Sequence, residues 1–168
     1  HSLRCSSTVL DAQNFEFSQG HLAKKSKERG IKMDELKLPQ ILDLDINMSK
    51  AKEWDNIITC HANDNAARTW TTKNKRLGSH VLLSTDKTAV KSTCISTCGN
   101  FGYLGCASGQ IDMYNMQSGL YRKTFQGPDG HKKAIIGLAT DNINKSLITA
   151  SVDKTCLLYT SPSPRDRS

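Results

Sequence analysis

The chain has 168 residues, 37% of them hydrophobic and 23% charged, which suits one domain of ordinary size, and no stretch approaches the roughly 18 apolar residues a membrane helix needs. Lysine and arginine number 23 against 16 aspartate and glutamate, a formal charge of +7, so polyanions are attracted without any one of them being specified. Six cysteines, Cys5, Cys60, Cys94, Cys98, Cys106 and Cys156, form no C-x-x-C and meet no suitably spaced histidines, which excludes zinc and thioredoxin patterns and predicts reduced, packing thiols of an intracellular protein.

In chain order, residues 1–10 read as the end of a unit that precedes this one. The opening four residues carry no apolar h-region, and with no initiator Met the chain reads as a fragment. Residues 11–38 read as a basic insertion. Its run from Lys24 through Lys25, Lys27 and Arg29 to Lys32 holds few apolar residues and predicts a loop. Residues 42–46 alternate apolar and polar side chains, the mark of a strand with one covered face, and residues 48–54 suit a short helix. Strands at 56–60 and 66–70 flank a turn with Asn63 and Asp64, and a strand at 76–83 completes a group of four within residues 39–84. A second group, within 91–126, has strands at 92–96, 101–106, 111–115 and 120–125, separated by Cys98-Gly99-Asn100, Ser108-Gly109 and Gln117-Ser118-Gly119. Strands at 135–140 and 146–151 open a third group, spanning 130–155. The core side chains expected from this reading are Leu42, Leu44, Ile46, Ile57, Trp70, Ile95, Leu104, Tyr114, Ile135, Leu138 and Ile148. The remainder, residues 156–168, matches one reading frame of a sequencing adapter, so the natural chain is expected to end near Thr155.

The groups are copies of one another. Trp70 follows Asp64 by six positions, Tyr114 follows Ser108 by six, and the two aromatics stand 44 positions apart. Periods of ~40–45 residues with four short antiparallel strands are those of WD-type propeller blades, whose third strand ends in an aromatic six places after a turn acid. The third copy begins at Gly130-His131 and runs to Ser151-Val152-Asp153-Lys154-Thr155. The expected fold is therefore all-β, a partial WD-repeat β-propeller of about two and a half to three four-stranded antiparallel blades.

His131, Ser151 and Asp153 are the parts of a hydrolase triad, but at this spacing they fit a buried hydrogen-bond network that pins blade loops together. Asp64, Trp70 and Tyr114 are expected to serve the equivalent networks of the other blades. No catalytic, cofactor or metal set is expected, since Cys94 and Cys98 bracket a strand end and Gly99, Gly102 and Gly105 precede no helix that would make a phosphate cradle. Gly20-His21 is a further blade-type dipeptide. Lys24, Lys25, Lys27, Arg29 and Lys32 have two readings of equal weight, contact with RNA phosphates or a solvated, import-like patch. No interleaved aromatics point to sequence-specific base reading.

Lys37-Leu38-Pro39, Lys52 to Ile57, Cys98-Gly99-Asn100-Phe101 and Tyr114 to Gly119 together resemble the WD-repeat U3 small nucleolar RNA-associated protein twenty-one family of the small-subunit processome. The resemblance covers residues 1–155 and fits a slice of that family's second propeller. It implies a non-catalytic nucleolar scaffold for pre-rRNA processing and 18S rRNA maturation. Other processome proteins are the implied partners, with U3 snoRNA or pre-rRNA reached through the basic run, and no membrane or small-molecule substrate is implied. A WD-repeat adaptor of another complex, such as a ubiquitin-ligase substrate receptor, and a propeller enzyme are the competing readings, because propellers host many functions.

Overall fold

The computed structural model describes residues 2–20, 22–126, 128–143 and 146–160. A short ribbon, β1 (Arg4–Cys5) against β2 (Phe15–Glu16), is followed by helices α1 (Leu22–Arg29) and α2 (Met33–Leu36). Then come β3 (Ile41–Ile46), β4 (Ile57–His61), β5 (Ala66–Thr71) and β6 (Arg76–Leu83), a four-stranded antiparallel sheet in chain order. A second such sheet is built from β7 (Val90–Ile95), β8 (Phe101–Cys106), β9 (Ile111–Asn115) and β10 (Tyr121–Phe125). A third holds β11 (Ile135–Thr140), β12 (Ser146–Ser151) and β13 (Cys156–Thr160). No helix among the described residues is long and apolar enough to cross a membrane.

Each sheet is a blade, and blades meet face to face through their first strands, with β3 packed beside β7 and β7 beside β11. Ile58, Cys60, Ala67 and Leu82 of the first blade pack on Val90, Ile95, Leu104, Tyr114 and Met116 of the second. Cys94, Tyr103 and Ile111 of the second pack on Ile135 and Leu147 of the third. Burial pushes the thiols of Cys60, Cys94 and Cys106 up to about 12, aided by nearby Asp43, Asp45 and Asp112 respectively, so these cysteines are protonated packing groups at neutral pH. Close approach of the sheets requires Gly105, where a Cβ would stand 2.4 Å from Ser92 Oγ and 2.6 Å from Ile135.

Four of the expected core residues lie elsewhere. Leu42, Leu44, Ile46 and Ile148 are 45–49% exposed. In β3 the register pairs Asp43 with Cys60 and Asp45 with Ile58, so it is the carboxylates that face the second blade while the aliphatic row faces away from it. The Asp43 carboxylate accepts from Thr93 N at 2.9 Å and that of Asp45 from Ile95 N at 2.7 Å, which ties the two innermost strands across the blade gap. Ile57, Trp70, Ile95, Leu104, Tyr114 and Ile135 are buried as expected, and Leu138 is half-buried.

The basic run is helical rather than a loop. Leu22 to Arg29 is made almost wholly of strong helix formers, Lys24 and Glu28 pair at i,i+4, and Gly30, with φ +63°, ends the helix in the left-handed conformation that glycine adopts most easily. Residues 48–54, by contrast, form successive turns instead of a helix. Ala51 N bonds Met48 O, while Glu53 N and Trp54 N both return to Lys50 O.

The ribbon packs on the first blade. Its Leu3 and the adjoining Phe17 pack on Ile57 and Trp70, and Ser18 bridges to Arg76 at the start of β6. At the other end, β13 extends the third sheet through residues 156–160 by pairing with β12, and residues 161–168 lie outside the described residues, as does His21.

Candidate functional site

Each of the three blades carries a polar network. In the first, Trp70 Nε1 donates to Thr59 Oγ1 at 2.8 Å, Thr59 Oγ1 lies 3.0 Å from His61 Nε2, and His61 Nδ1 lies 2.9 Å from the Pro39 carbonyl. The carbonyl can only accept, so Nδ1 carries the proton and Nε2 accepts from Thr59. Every member is thereby satisfied, as a buried polar chain must be. Asp64, expected in this chain, is turned to the blade edge, where it caps Ala66 N at 3.0 Å and pairs with Arg68 at 3.0 Å.

Burial holds the His61 imidazole below the ordinary histidine range, against the opposing pull of the Pro39 carbonyl. The unfolded chain therefore takes up a proton at a higher pH than the folded one, near the ordinary value of ~6.5. Stability from this group is complete above that value and falls as the pH drops through the interval below it. Urea midpoints measured for the parent propeller between pH 7.5 and 5 should decline on acidification. In His61→Gln, less stable at both ends, the decline should be shallower; an identical decline in the variant would show that His61 is not the group responsible.

In the second blade, Ser108 occupies the acid position and donates to Asp86, which also accepts from Thr88 N at 3.0 Å. Asp112 is the buried hub. It accepts from Thr85 N at 2.8 Å, Gln110 Nε2 at 2.9 Å and Thr124 Oγ1 at 2.6 Å. Tyr114, on β9, donates its hydroxyl to the Leu83 carbonyl of β6 and so joins the third strand of the second blade to the outermost strand of the first.

In the third blade, His131 Nε2 lies 2.7 Å from Thr149 Oγ1, and Nδ1 lies 3.2 Å from Asp153 Oδ2 and 2.9 Å from Thr155 Oγ1. Hydrogen bonds from Thr155 above all, and from Lys132 N and His131, hold the Asp153 carboxyl well below the usual carboxylate range. Ser151, expected beside His131, instead donates to the Lys133 carbonyl at 2.9 Å. Both imidazole nitrogens are engaged by other groups, so Ser151 and His131 are not a hydrogen-bonded pair. Tyr159 takes the aromatic position, but its buried hydroxyl has no partner among the described residues, unlike the indole of Trp70.

Sequence reasoning thus named Trp70, His131 and Asp153 but missed His61, Thr59, Thr149 and Asp112. The available signal was strand parity: Thr149 precedes Ser151 by two, on the same face of β12, and Thr59 holds the same relation to His61 on β4. Among the described residues no group of three or more His, Cys, Asp or Glu could hold a metal ion.

Lys24, Lys25, Lys27 and Arg29 all lie on α1, exposed, and Lys32 lies just beyond Gly30. Helical geometry separates them. Lys24 is tied to Glu28, and of the five only Lys25 lines the cleft of about 800 Å³ between α1 and the first blade.

This architecture has named relatives. A protein titled U3 small nucleolar RNA-associated protein 21 homolog, from Schizosaccharomyces pombe, is 46% identical over 152 residues, 90% of this chain and 17% of that protein. The Saccharomyces cerevisiae U3 small nucleolar RNA-associated protein 21 is 40% identical over 85% of this chain and 15% of its own length. Human WD repeat-containing protein 36 is 32% identical over 88% and 17% respectively. The chain therefore spans about a sixth of the length of the curated relatives it matches. Among solved structures, the RRP9 WD40 repeats align with a TM-score of 0.61 at 23% identity, and U3-55K with 0.59 at 24%, each over 73% of this chain and 36% of the other, likenesses that carry the propeller fold alone. The sequence profile of the WDR36/Utp21 second beta-propeller domain matches residues 1–162, and with it the blade repeat, the innermost-strand packing and the polar networks find one common frame: this chain belongs to that domain family.

Proposed function

We propose that the chain is a slice of a non-catalytic WD-repeat scaffold of the U3 snoRNP and small-subunit processome, acting in pre-rRNA processing and 18S rRNA maturation in the nucleolus. The observation that carries this reading is the 46% identity over 90% of the chain to a protein named for its association with U3 small nucleolar RNA. The blades support it physically. Buried groups such as His61, Asp112 and His131 are engaged in loop-pinning networks, and rigid sheets with exposed loops offer surfaces for several partners at once. Other processome proteins are the proposed partners, with U3 snoRNA or pre-rRNA reached through the basic face around α1.

The test is affinity purification of the tagged full-length parent from nucleoli, together with its depletion. U3 RNA and processome proteins should co-purify, and 18S rRNA should fall more than the large-subunit rRNA. A parent missing from U3-containing particles would overturn the scaffold reading.

A further inference from the structure

We propose that the cleft between α1, the turns at 48–54 and the outermost strand β6 of the first blade binds the backbone of single-stranded RNA. The inference deepens the scaffold reading by naming a site and a ligand class, and it rests on that reading for the choice of RNA. The cleft, of about 800 Å³, is lined by Lys25, Lys52, Lys73 and Arg76, with Trp54 and His80 as its aromatic walls. These come from separate segments, so their convergence is a product of folding.

The charge inside the cleft is one-sided. Of its two lining carboxylates, Glu53 is paired with Lys50 at 3.0 Å, and Asp55, buried, accepts from the neutral donors Thr69 Oγ1 at 2.6 Å and Ser79 N at 2.9 Å, so the four lining cations face a single carboxylate without an ion-pair partner. Lys25, Lys52, Lys73 and Arg76 are exposed and form no ion pair among the described residues. Among the described residues the one hydrogen bond from these head groups runs from Lys73 Nζ to the main-chain carbonyl of Lys52 at 3.3 Å and ties the turn after β5 to the turns at 48–54. Four unneutralised cations around a concave surface focus a positive potential that only an anionic ligand relieves.

The aromatic walls select among anions. Trp54 Nε1 is anchored to the Gly99 carbonyl at 3.0 Å, with the ring packed on the core between the first two blades and Lys50 Nζ 5.3 Å from its centroid, and His80 Nε2, beside Gly119, donates to the Gln117 carbonyl at 3.0 Å, so both rings are held in place before any ligand arrives and Lys50 adds a further cation at the Trp54 wall. Fixed rings beside a cationic track are the elements that bind unpaired bases and their phosphates together, whereas an acidic peptide has no group that needs a flat π-face.

The experiment uses the purified full-length parent and a fluorescent 20-nucleotide RNA of mixed sequence, titrated across a range of salt. Neutralising the cleft (Lys25→Gln, Lys52→Gln, Lys73→Gln, Arg76→Gln) should weaken binding about tenfold or more at moderate salt. It should also flatten the plot of log affinity against log salt by about 0.7 per lost contact. A control with the same charge change outside the cleft (Lys87→Gln, Lys123→Gln, Lys132→Gln, Lys154→Gln) should keep both affinity and slope close to the wild type. Photocrosslinking with 5-iodouracil RNA, which needs no variant, should place adducts on Trp54 or His80. Equal losses in the two quadruple variants, adducts confined to other segments, or displacement of RNA by poly-glutamate at lower charge concentration than by unlabelled RNA would each overturn the proposal. None of these results bears on whether the parent is found in U3 particles, so the cleft and the scaffold reading fail separately.

Discussion

Trp70→Ala in the parent propeller is expected to lower unfolding free energy by about 3–5 kcal/mol, the range for truncating a fully buried large aromatic. The ring is completely buried, meets Phe17 edge-on at a centroid distance of 6.1 Å, and packs with Leu3 and Ile57. Its indole nitrogen also starts the Thr59–His61 chain, so alanine leaves both a cavity and a hydroxyl without its donor. Trp70→Phe separates the two effects. It keeps most of the packing and removes the hydrogen bond, so a loss of about 1–2 kcal/mol is expected. Urea denaturation of both variants checks this, and a Phe variant as damaged as the Ala variant would mean that the polar chain, not the ring, supplies the stability.

Joint replacement of Asp43 and Asp45 by alanine is expected to cost about 3 kcal/mol, near the lower end for two hydrogen bonds to charged acceptors because both residues keep some solvent exposure. Each carboxylate serves two strands. Asp43 accepts from Leu44 N at 2.9 Å as well as from Thr93 N, and Asp45 from Ile46 N at 2.8 Å as well as from Ile95 N. Truncation frees four backbone N–H groups on two neighbouring innermost strands. Asparagine at both positions retains an acceptor oxygen and should recover roughly half of the loss. A double alanine variant within 0.5 kcal/mol of the wild type, an ordinary surface effect, would contradict the inter-blade tie.

Local pattern made most of the strands legible. Gly, Asn, Asp and Ser clusters mark where β8, β9, β11 and β12 begin and end, and β6 was bounded correctly by its flanking turn residues. The helix over residues 22–29 differs from the loop expected there because few apolar residues do not preclude structure: a short helix of lysine, glutamate and alanine needs only propensity, one i,i+4 pair and a glycine stop. The reverse error at 48–54 has the same root. Helix formers there are overruled by the tight path from β3 to β4, with Asn47 bound to the Ser96 and Thr97 carbonyls of the neighbouring blade.

By itself the sequence determined the 44-residue period, the four-strand blade and the places of Trp70, Tyr114 and His131 in it, because these depend on spacing along one chain. Alternation in residues 41–46 equally determined that β3 has two unlike faces. Only the tertiary structure decided which face is turned to the next blade, since period-two patterning labels faces as apolar and polar without saying what each will meet. There the neighbour offers backbone N–H groups, and carboxylates answer those better than leucines do. Tertiary structure likewise decided that Lys25 stands with Lys52, Lys73 and Arg76: residues as many as 51 positions apart become one charged cleft only when Ser18 docks on the start of β6 and brings α1 alongside the blade.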